Sequence, residues 1–551
     1  MSVQILAAEA SGPVLACREG LSFWGGVYPA SGEIIDAHHP DRGASVAGRI
    51  LLMPTSRGSC SGSGVLLELA LGGNAPAALI FREAESVLTL GALIAAEMFG
   101  RVIPVARLSP ADYDALAAAP EAMIRNGAIE APGLAIPLRA LDDALQLTPA
   151  DQAMLAGDAG EAAQLAMRVI AAMARAEGAR RLTNVARAHV DGCILSTEAN
   201  LIFAETMRDR GAKTRIPTTI NAISVDRENW RDQGTPPDFG LKAQRLADAY
   251  VAMGARPTFT CAPYQEDPPG FGERIGSSES NAVIYANSVR GARTAKLPDY
   301  LDLFVAMTGR APESGPYLTE NRAPQIIIDV EALDAADDGF WGLLGWLVGM
   351  AAPDRIPLIK GVAHLAPSSD DLRALCAAFG ATSAAPMLHV AGVTPEADMA
   401  PAPNAPRASI DRRDIAAGWR ALNAGADEID LIALGSPHLS IEELRSFAGH
   451  LTAPARRPVL ITLSRATRTA AAREGLTDRL ASFGVRFAAD ICWCSIREPV
   501  FPPEARTLIT NSGKYAHYAP GLSGRSVRYG SLAACAEAAM TGRAPGSPDW
   551  L

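Results

Sequence analysis

Residues 54–64 form the first of three groups of side chains whose types and spacing could do chemistry. The segment contains four serines, three glycines and one cysteine, and it lies between an apolar run at 50–53 and a helical pattern at 65–71. Small residues allow a tight turn, and free amides at a helix start bind anions or stabilise an alkoxide. No lysine of the P-loop type is present. The segment is therefore either such a loop or a surface loop of small residues.

The eight cysteines form the second group, and none has the CxxC spacing typical of metal ligands. Three share a position at or just past the end of a predicted strand: Cys193 after 185–190, Cys261 at the end of 258–261, and Cys492 after 485–490. Loops at strand ends of α/β sheets build sites, so three such thiolates could hold an iron–sulfur cluster. Buried thiols without a metal are the alternative.

Two polar segments form the third group. Residues 276–288 begin with a polar turn that opens a helix, which suits carboxylate binding but also fits an ordinary capped helix. Residues 511–520 place a lysine, a histidine and two tyrosines beside Gly513. They could clamp an anionic substrate, or the aromatic and histidine side chains could simply pack.

The elements that must position these groups alternate between strand and helix. Short apolar runs such as 50–53, 326–330 and 459–463 predict buried strands, and the helical patterns between them predict α/β layers with parallel sheets. Residues 1–140 are predicted to form one domain and residues 141–551 a larger portion, with a proline-rich joint near 394–408.

Composition excludes several classes of protein. The 551 residues carry 50 Lys and Arg against 60 Asp and Glu, a net charge of −10, and no dense basic run that would follow a nucleic-acid backbone. The longest uncharged apolar run, at 340–352, is too short to span a membrane. The start of the chain lacks the features of a secretory signal, so a reducing cytoplasmic location is expected.

Several ordered segments resemble the aconitase X family. LSFWGG at 21–26, GEIID at 32–36 and His39-Pro40 resemble the opening of its small domain, and the serine and glycine segment continues the resemblance. Further segments follow in the family's order at 189–193, 261–264, 279–293, 436–438, 490–492 and 511–520. The resemblance covers nearly the whole chain. It implies an aconitase-like α/β fold, in which an N-terminal swivelling β/α small domain is fused to a multi-domain α/β large portion with mostly parallel sheets.

The resemblance also implies a dehydratase with an iron–sulfur cluster, expected to be [2Fe-2S] with its nuclearity left open. A single chain that begins with the small domain resembles the bacterial kind that dehydrates cis-3-hydroxy-L-proline to Δ1-pyrroline-2-carboxylate. Its partner would be a small hydroxy amino acid, with no nucleic acid and no membrane. The oligomeric state is left open, a monomer being one expectation.

Site residues follow from the same resemblance. Ser59 is predicted to be the base, with Ser61 as second choice, and His189 and Asp191 join it as catalytic residues. The predicted substrate-binding residues are Arg57, Ser61, Glu279, Ser280, Asn281, Lys514 and His517. The predicted cluster ligands are Cys193, Cys261 and Cys492, with Cys494 and Cys60 in reserve.

Two other functions remain open at this stage. A related dehydratase could act on another hydroxy acid such as mevalonate 5-phosphate, whose phosphate would require a further basic residue, and the candidates are Arg57, Arg215, Arg293 and Lys514. A non-catalytic, iron-responsive RNA-binding protein is the third hypothesis, and the acidic net charge argues against it.

Overall fold

The computed structural model describes residues 1–36 and 39–551. The first domain is built on a nine-stranded sheet in the order β10-β9-β8-β2-β5-β6-β7-β1-β11, whose central strands β2, β5, β6 and β7 are parallel. The strands of the whole domain, including the separate pair β3 and β4, are β1 Val3–Leu6, β2 Ala10–Ala16, β3 Val27–Tyr28, β4 Glu33–Ile34, β5 Ile50–Met53, β6 Ala78–Phe81, β7 Val105–Arg107, β8 Glu121–Arg125, β9 Ala128–Ala131, β10 Leu134–Pro137 and β11 Arg139–Ala140. Its helices are α1 Gly62–Gly72, α2 Val87–Phe99 and α3 Pro110–Ala117.

The second unit contains a short parallel sheet in the order β14-β13-β15 and a two-stranded pair, β12 with β16. Its elements are α4 Pro149–Ala156, α5 Glu161–Ala176, β12 Leu182–Asn184, β13 Arg187–Val190, α6 Glu198–Asp209, β14 Thr218–Ile220, α7 Pro237–Ala252, β15 Ile275–Ser277, α8 Ser280–Ser288, α9 Leu301–Thr308 and β16 Arg310–Pro312. The strand predicted at 258–261 is wrong, because this segment makes only single contacts with β14, such as the Thr260 amide to the Ile220 carbonyl at 3.2 Å.

The last two units each contain one parallel sheet. The third unit, in the order β19-β18-β17-β20, comprises β17 Ile326–Val330, α10 Asp338–Ala351, β18 Pro357–Lys360, α11 Ser369–Thr382, β19 His389–Val390, β20 Arg407–Ile410 and α12 Arg412–Leu422. The fourth, in the order β23-β22-β21-β24-β25, comprises β21 Leu431–Leu434, α13 Ile441–His450, β22 Val459–Leu463, α14 Arg465–Arg473, α15 Leu476–Ser482, β23 Val485–Ala489, β24 Thr507–Thr510, α16 Gly513–Ser523, β25 Ser526–Tyr529 and α17 Leu532–Thr541. The proline-rich residues 394–408 connect β19 to β20 of one sheet.

Apolar sequence runs explain the central strands of these sheets. The runs ILLM in β5 and VLITL in β22 are buried at every position, as expected for parallel strands that are covered on both faces. The alternating exposure of β8 indicates a strand with one solvated face. The α/β fold with an N-terminal small domain and mostly parallel sheets is therefore confirmed.

The first domain and the second unit share one continuous apolar core. Helices α1 and α2 pack against α6 and α5, and the buried side chains of this core include Leu66, Leu90, Ile170 and Phe203. This packing brings the segment before α1 onto the carboxyl ends of β13, β14 and β15.

Candidate active site between the small domain and the large portion

A cleft lies where the first domain meets the large portion. The small domain contributes Trp24, Gly58, Ser59, Cys60 and Ser61, and the large portion contributes Asp191, Ile194, Ser278, Glu279, Ser280, Gly380, Cys492, Cys494, Lys514 and Tyr518. Six of the predicted catalytic and substrate-binding residues are in this set, together with one predicted cluster ligand. Trp24 and Tyr518 meet edge to face across the cleft, with 6.2 Å between ring centroids.

The serine segment turns sharply into α1. Gly58 has φ +87°, and a Cβ at this position would lie 2.4 Å from the Ser22 hydroxyl, so only glycine fits. The Ser61 amide donates to the Ser59 hydroxyl oxygen at 3.3 Å. A backbone donor at this distance would stabilise negative charge on the Ser59 oxygen.

Parallel strands supply the opposite wall of the cleft. Asp191, Asn221 and Glu279 each follow closely after the carboxyl end of β13, β14 or β15. The Asn221 amide group donates to Asp191 and, at 3.1 Å, to Glu279. Ligand sites form at this edge of α/β sheets because the strand ends converge there.

Lys514 and Glu279 form a buried ion pair in this wall, with 2.9 Å between Nζ and Oε1. Burial alone would raise the pKa of Glu279, but the charge of Lys514 and hydrogen bonds from Lys514 and Asn281 lower it. Burial would likewise lower the pKa of Lys514, but Glu279 and the neighbouring cysteines raise it. Both groups are therefore charged, and Asn281 serves to hold Glu279 at 2.6 Å rather than to line the cleft.

Cys492 and Cys494 line the cleft, and Cys261 packs beside them. The thiols of Cys261 and Cys494 hydrogen-bond the sulfur of Cys492, and these bonds, assisted by the charge of Lys514, lower the pKa of Cys492 well below its usual range. The bond to Cys492 and burial raise the pKa of Cys261 and of Cys494. Three cysteine side chains that lie together, one of them with a lowered pKa, are a suitable donor set for an iron–sulfur cluster.

Cys193 lies near this group but is separated from it by Ala222. Its sulfur is 3.4 Å from the Asn221 carbonyl and 3.5 Å from the Ala222 carbonyl, while Ala222 itself packs against Cys261 and Cys492. Nearby Cys494, a reserve ligand in the sequence analysis, is the third thiol of the group. The spacing Cys492-Trp493-Cys494, on the short helical turn at 493–495, was the available signal for it.

Three further predicted residues lie outside the cleft lining. His189 Nδ1 is 2.8 Å from the Thr219 hydroxyl, and burial lowers the pKa of His189 to about 4. Its ring lines a second cavity, of about 270 Å³. Arg57 pairs with Glu19 at 3.0 Å near the surface, and exposed His517 accepts from the Trp346 indole at 3.3 Å.

Two buried carboxyls that sequence reasoning missed, Asp299 and Asp302, lie near the predicted residue Asp191, whose amide donates to Asp302 at 2.6 Å. Burial, and then the charge of Asp302, raise the pKa of Asp299 to about 7, although Ser61 opposes this rise. Burial raises the pKa of Asp302 to about 6 and, together with the charges of Asp299 and Glu279, that of Asp191 well above its usual range. No motif marks Asp299 and Asp302, because only the folded chain brings the start of α9 to Asp191.

A second cysteine group is found in the small domain. Among residues 1–36 and 39–551, Cys17, His39 and Asp41 are the one set of three metal-type side chains whose ligand atoms all lie within 4.8 Å of one another. Asp41 already accepts from Arg18 Nε at 2.9 Å, and its own amide donates to His39 Nδ1 at 3.1 Å. This group lies outside the cleft lining.

No helix in the described part of the chain is both long enough and apolar enough to cross a membrane. The apolar run at 340–352 forms most of α10, which ends at Ala351.

Comparisons with known proteins cover the whole chain. Family models described as aconitase X swivel, first, second and third domains match residues 2–131, 144–320, 324–420 and 429–541. The cis-3-hydroxy-L-proline dehydratases of Pseudomonas aeruginosa and Hypocrea jecorina are 49% and 46% identical to this chain; the first alignment covers 99% of this chain and 97% of the relative, the second 97% and 94%. The phosphomevalonate dehydratase large subunit of Methanothermobacter thermautotrophicus is 35% identical over 69% of this chain and 95% of its own length.

A solved structure supports the same family for the large portion. The crystal structure of Thermococcus kodakaraensis aconitase X in its holo-form matches with a TM-score of 0.66 and 30% identity, and the match covers 73% of this chain and 100% of that one. Four family domains in order, full-length relatives and a matching fold agree with the cleft of serines, thiols and carboxyls. The chain belongs to the aconitase X family.

Proposed function

We propose that this protein is a hydro-lyase that removes water from cis-3-hydroxy-L-proline to give Δ1-pyrroline-2-carboxylate. The observation that carries the proposal is the cleft itself, in which Ser59 of the small domain faces Cys492, Lys514 and Glu279 of the large portion. The full-length relatives named as dehydratases of this substrate support it.

Ser59 would take the proton from the carbon that bears the carboxylate. A serine hydroxyl is a weak base, and the Ser61 amide at 3.3 Å stabilises the alkoxide that this role requires. Lys514 would hold the substrate carboxylate and Glu279 its ammonium group, since both are charged and line the cleft. As the carbon–oxygen bond at C3 breaks, the electron pair of the former C2–H bond would form the C2=C3 double bond, and the expelled hydroxide would take up a proton and leave as water. The resulting enamine tautomerises to the cyclic imine.

Cys261, Cys492 and Cys494 are the thiols we propose as cluster ligands, with Cys193 as the neighbouring alternative. Their fit rests on three neighbouring free cysteines, of which Cys261 and Cys492 are buried and Cys494 is partly exposed, and on the lowered pKa of Cys492. An iron–sulfur cluster, when bound, supplies Lewis acidity for the loss of a hydroxyl group. Free thiols also suit the cytoplasmic location predicted from the cysteine content.

The charges of the cleft favour an amino acid over a phosphorylated acid. Lys514 is the one basic residue among the described cleft-lining residues, and it is already paired with Glu279. The other candidate arginines have contacts elsewhere: Arg57 pairs with Glu19, Arg293 with Glu396, and Arg215 lies against Met154. A phosphate would add negative charge beside Glu279, whereas a substrate ammonium group offsets the charge of this carboxylate.

The direct test is anaerobic incubation of iron-replete protein with cis-3-hydroxy-L-proline, followed by measurement of Δ1-pyrroline-2-carboxylate. We expect turnover that chelation abolishes. Ser59→Ala should lower kcat by about 10²–10⁴-fold with iron content unchanged, because the positioned base is lost. Ser11→Ala, at an exposed serine of the same domain, is the matched control. Turnover of mevalonate 5-phosphate instead of cis-3-hydroxy-L-proline would contradict the proposal, because this protein would then act on the substrate of the archaeal relatives.

A further inference from the structure

His438 is a buried histidine that the proposed mechanism leaves unused. It follows the carboxyl end of β21 in the fourth unit, and it is 0% exposed. It does not belong to the described residues that line the cleft. Buried polar side chains are almost always hydrogen-bonded, so the partners of this ring show what it holds.

The ring of His438 joins two segments that carry cysteines. Its Nδ1 atom lies 3.1 Å from the Thr260 hydroxyl oxygen, and its Nε2 atom lies 2.9 Å from the Ile491 carbonyl oxygen. Thr260 directly precedes Cys261, and Ile491 directly precedes Cys492. One imidazole therefore lies between the backbones that carry two of the proposed cluster ligands.

A neutral ring with its hydrogen on Nε2 satisfies both contacts. The Ile491 carbonyl can only accept, so Nε2 donates to it. The Thr260 hydroxyl oxygen already accepts from the Ala262 amide at 3.1 Å, and its own hydrogen is free to be donated to Nδ1. Both ring nitrogens are thus used, and the ring is held in one orientation.

The backbone of His438 contacts the cysteines as well. Its amide donates to the Cys261 sulfur at 3.3 Å. Its carbonyl accepts from Arg373 Nη1 at 2.9 Å and from the Gln265 side chain at 3.2 Å, which fixes the residue in place. A hydrogen bond to the sulfur of a cluster ligand orients that ligand and favours the reduced, more negative cluster, which raises its reduction potential.

We infer that His438 is a positioning residue for the proposed cluster ligands Cys261 and Cys492. Its ring fixes the spacing between the segments that carry the two cysteines, and its amide orients the Cys261 sulfur. Two ligands of one cluster must keep a fixed separation, and these two come from segments far apart in the chain. The inference rests on the proposed function, in which these thiols hold the cluster.

A conservative variant and a matched control separate this role from simple packing. His438→Phe keeps an aromatic ring and the backbone amide but removes both ring bonds, whereas His438→Gln keeps a donor for the Ile491 carbonyl. His389→Phe changes another histidine that is 0% exposed, in β19 of the third unit. Its Nε2 atom contacts the Arg322 carbonyl at 2.8 Å, so the control also loses a buried bond to a carbonyl.

The first measurement is retention of the cluster. After anaerobic reconstitution with iron and sulfide, the cluster absorbance is followed under a chelator. We expect His438→Phe to lose this absorbance about 10- to 100-fold faster than the unmodified protein, which is the effect typical of removing a group that orients a metal ligand. His438→Gln should recover most of the difference, and His389→Phe should match the unmodified protein. Equal rates in His438→Phe and the unmodified protein, or equal acceleration in His389→Phe, would overturn the inference.

The second measurement is the reduction potential of the cluster in the same variants. His438→Phe should have a lower potential than the unmodified protein, because a displaced amide no longer stabilises the reduced form. His389→Phe should keep the unmodified potential, since it only alters packing elsewhere. An unchanged potential in His438→Phe would overturn the role assigned to the amide.

Hydrogen exchange tests the spacing without iron or substrate. In protein stripped of iron, the amides of residues 260–262 and 491–494 should exchange faster in His438→Phe than in the unmodified protein, and no faster in His389→Phe. Unchanged exchange in His438→Phe would overturn the inference. A protein that fails to turn over cis-3-hydroxy-L-proline but responds as expected here and under the chelator would refute the proposed reaction and support the positioning role.

Discussion

Cys17 in the small domain and Cys492 in the cleft are both buried cysteines beside charged side chains. The pKa values of their thiols are shifted in opposite directions. Burial, and then the charge of Asp41, raise the pKa of Cys17 to about 12. Hydrogen bonds from Cys261 and Cys494, together with the charge of Lys514, lower the pKa of Cys492 despite its burial. The first residue is a neutral thiol at neutral pH, and the second is poised as a thiolate.

The difference teaches that residue type and burial do not decide what a cysteine does. Burial disfavours a thiolate, and only nearby donors or a cation reverse this effect. Near Cys17, the side chain of Arg18 is directed to Asp41. Near Cys492 the donors and the cation converge on sulfur. We therefore expect the cleft group to hold iron and the Cys17 group to contribute to packing.

The largest expected effect is on iron and turnover. Cys492→Ser should lose the cluster and reduce turnover by at least about 10³-fold, because a ligand and the stabilised thiolate both disappear. Cys17→Ser should keep its iron content and stay within about twofold of the unmodified activity. Iron analysis measures the cluster content of each variant, and formation of Δ1-pyrroline-2-carboxylate measures its turnover. Iron loss in Cys17→Ser with retention in Cys492→Ser would reverse the assignment.

A smaller effect is expected on thiol reactivity in protein stripped of iron. The lowered pKa of Cys492 predicts alkylation by iodoacetamide at pH 7, whereas Cys17, with its pKa raised to about 12, should react only as the pH rises toward that value. Peptide mass spectrometry after timed labelling measures the two rates.

Lys514→Met sharpens this test. Loss of the neighbouring cation should raise the pKa of Cys492 and slow its labelling at pH 7 roughly tenfold, whereas Lys514→Arg should keep the faster rate. Equal rates for Lys514→Met and the unmodified protein would show that the hydrogen bonds from Cys261 and Cys494 act alone.

The smallest effect is on stability. Cys17→Ala removes a 4% exposed side chain and should lower the free energy of unfolding by about 1 kcal/mol, through lost packing alone. Urea unfolding measures this change. A loss of several kcal/mol, together with release of a bound metal from the unmodified protein, would instead indicate a metal site at Cys17, His39 and Asp41.

Local sequence patterns were enough for most of the fold. Continuous apolar runs marked strands such as β5 and β22. Local signals also lie at helix ends, where Gly100 caps α2 and Ser440 with Glu443 forms the capping box that starts α13. These signals lie within a few residues of the elements they define. The segment 258–261 failed because its apolar and β-branched residues read as a strand, while the chain there only touches β14.

The sequence by itself determined the α/β class, the resemblance to aconitase X and the segments from which the site is built. Tertiary structure alone decided which side chains meet: Cys494 rather than Cys193 beside Cys492, Arg57 on the surface rather than in the cleft, and Lys514 paired with Glu279. The physical reason is distance along the chain. A strand or cap depends on neighbours in sequence, whereas thiol acidity and ion pairing depend on groups that only the packed sheets bring together.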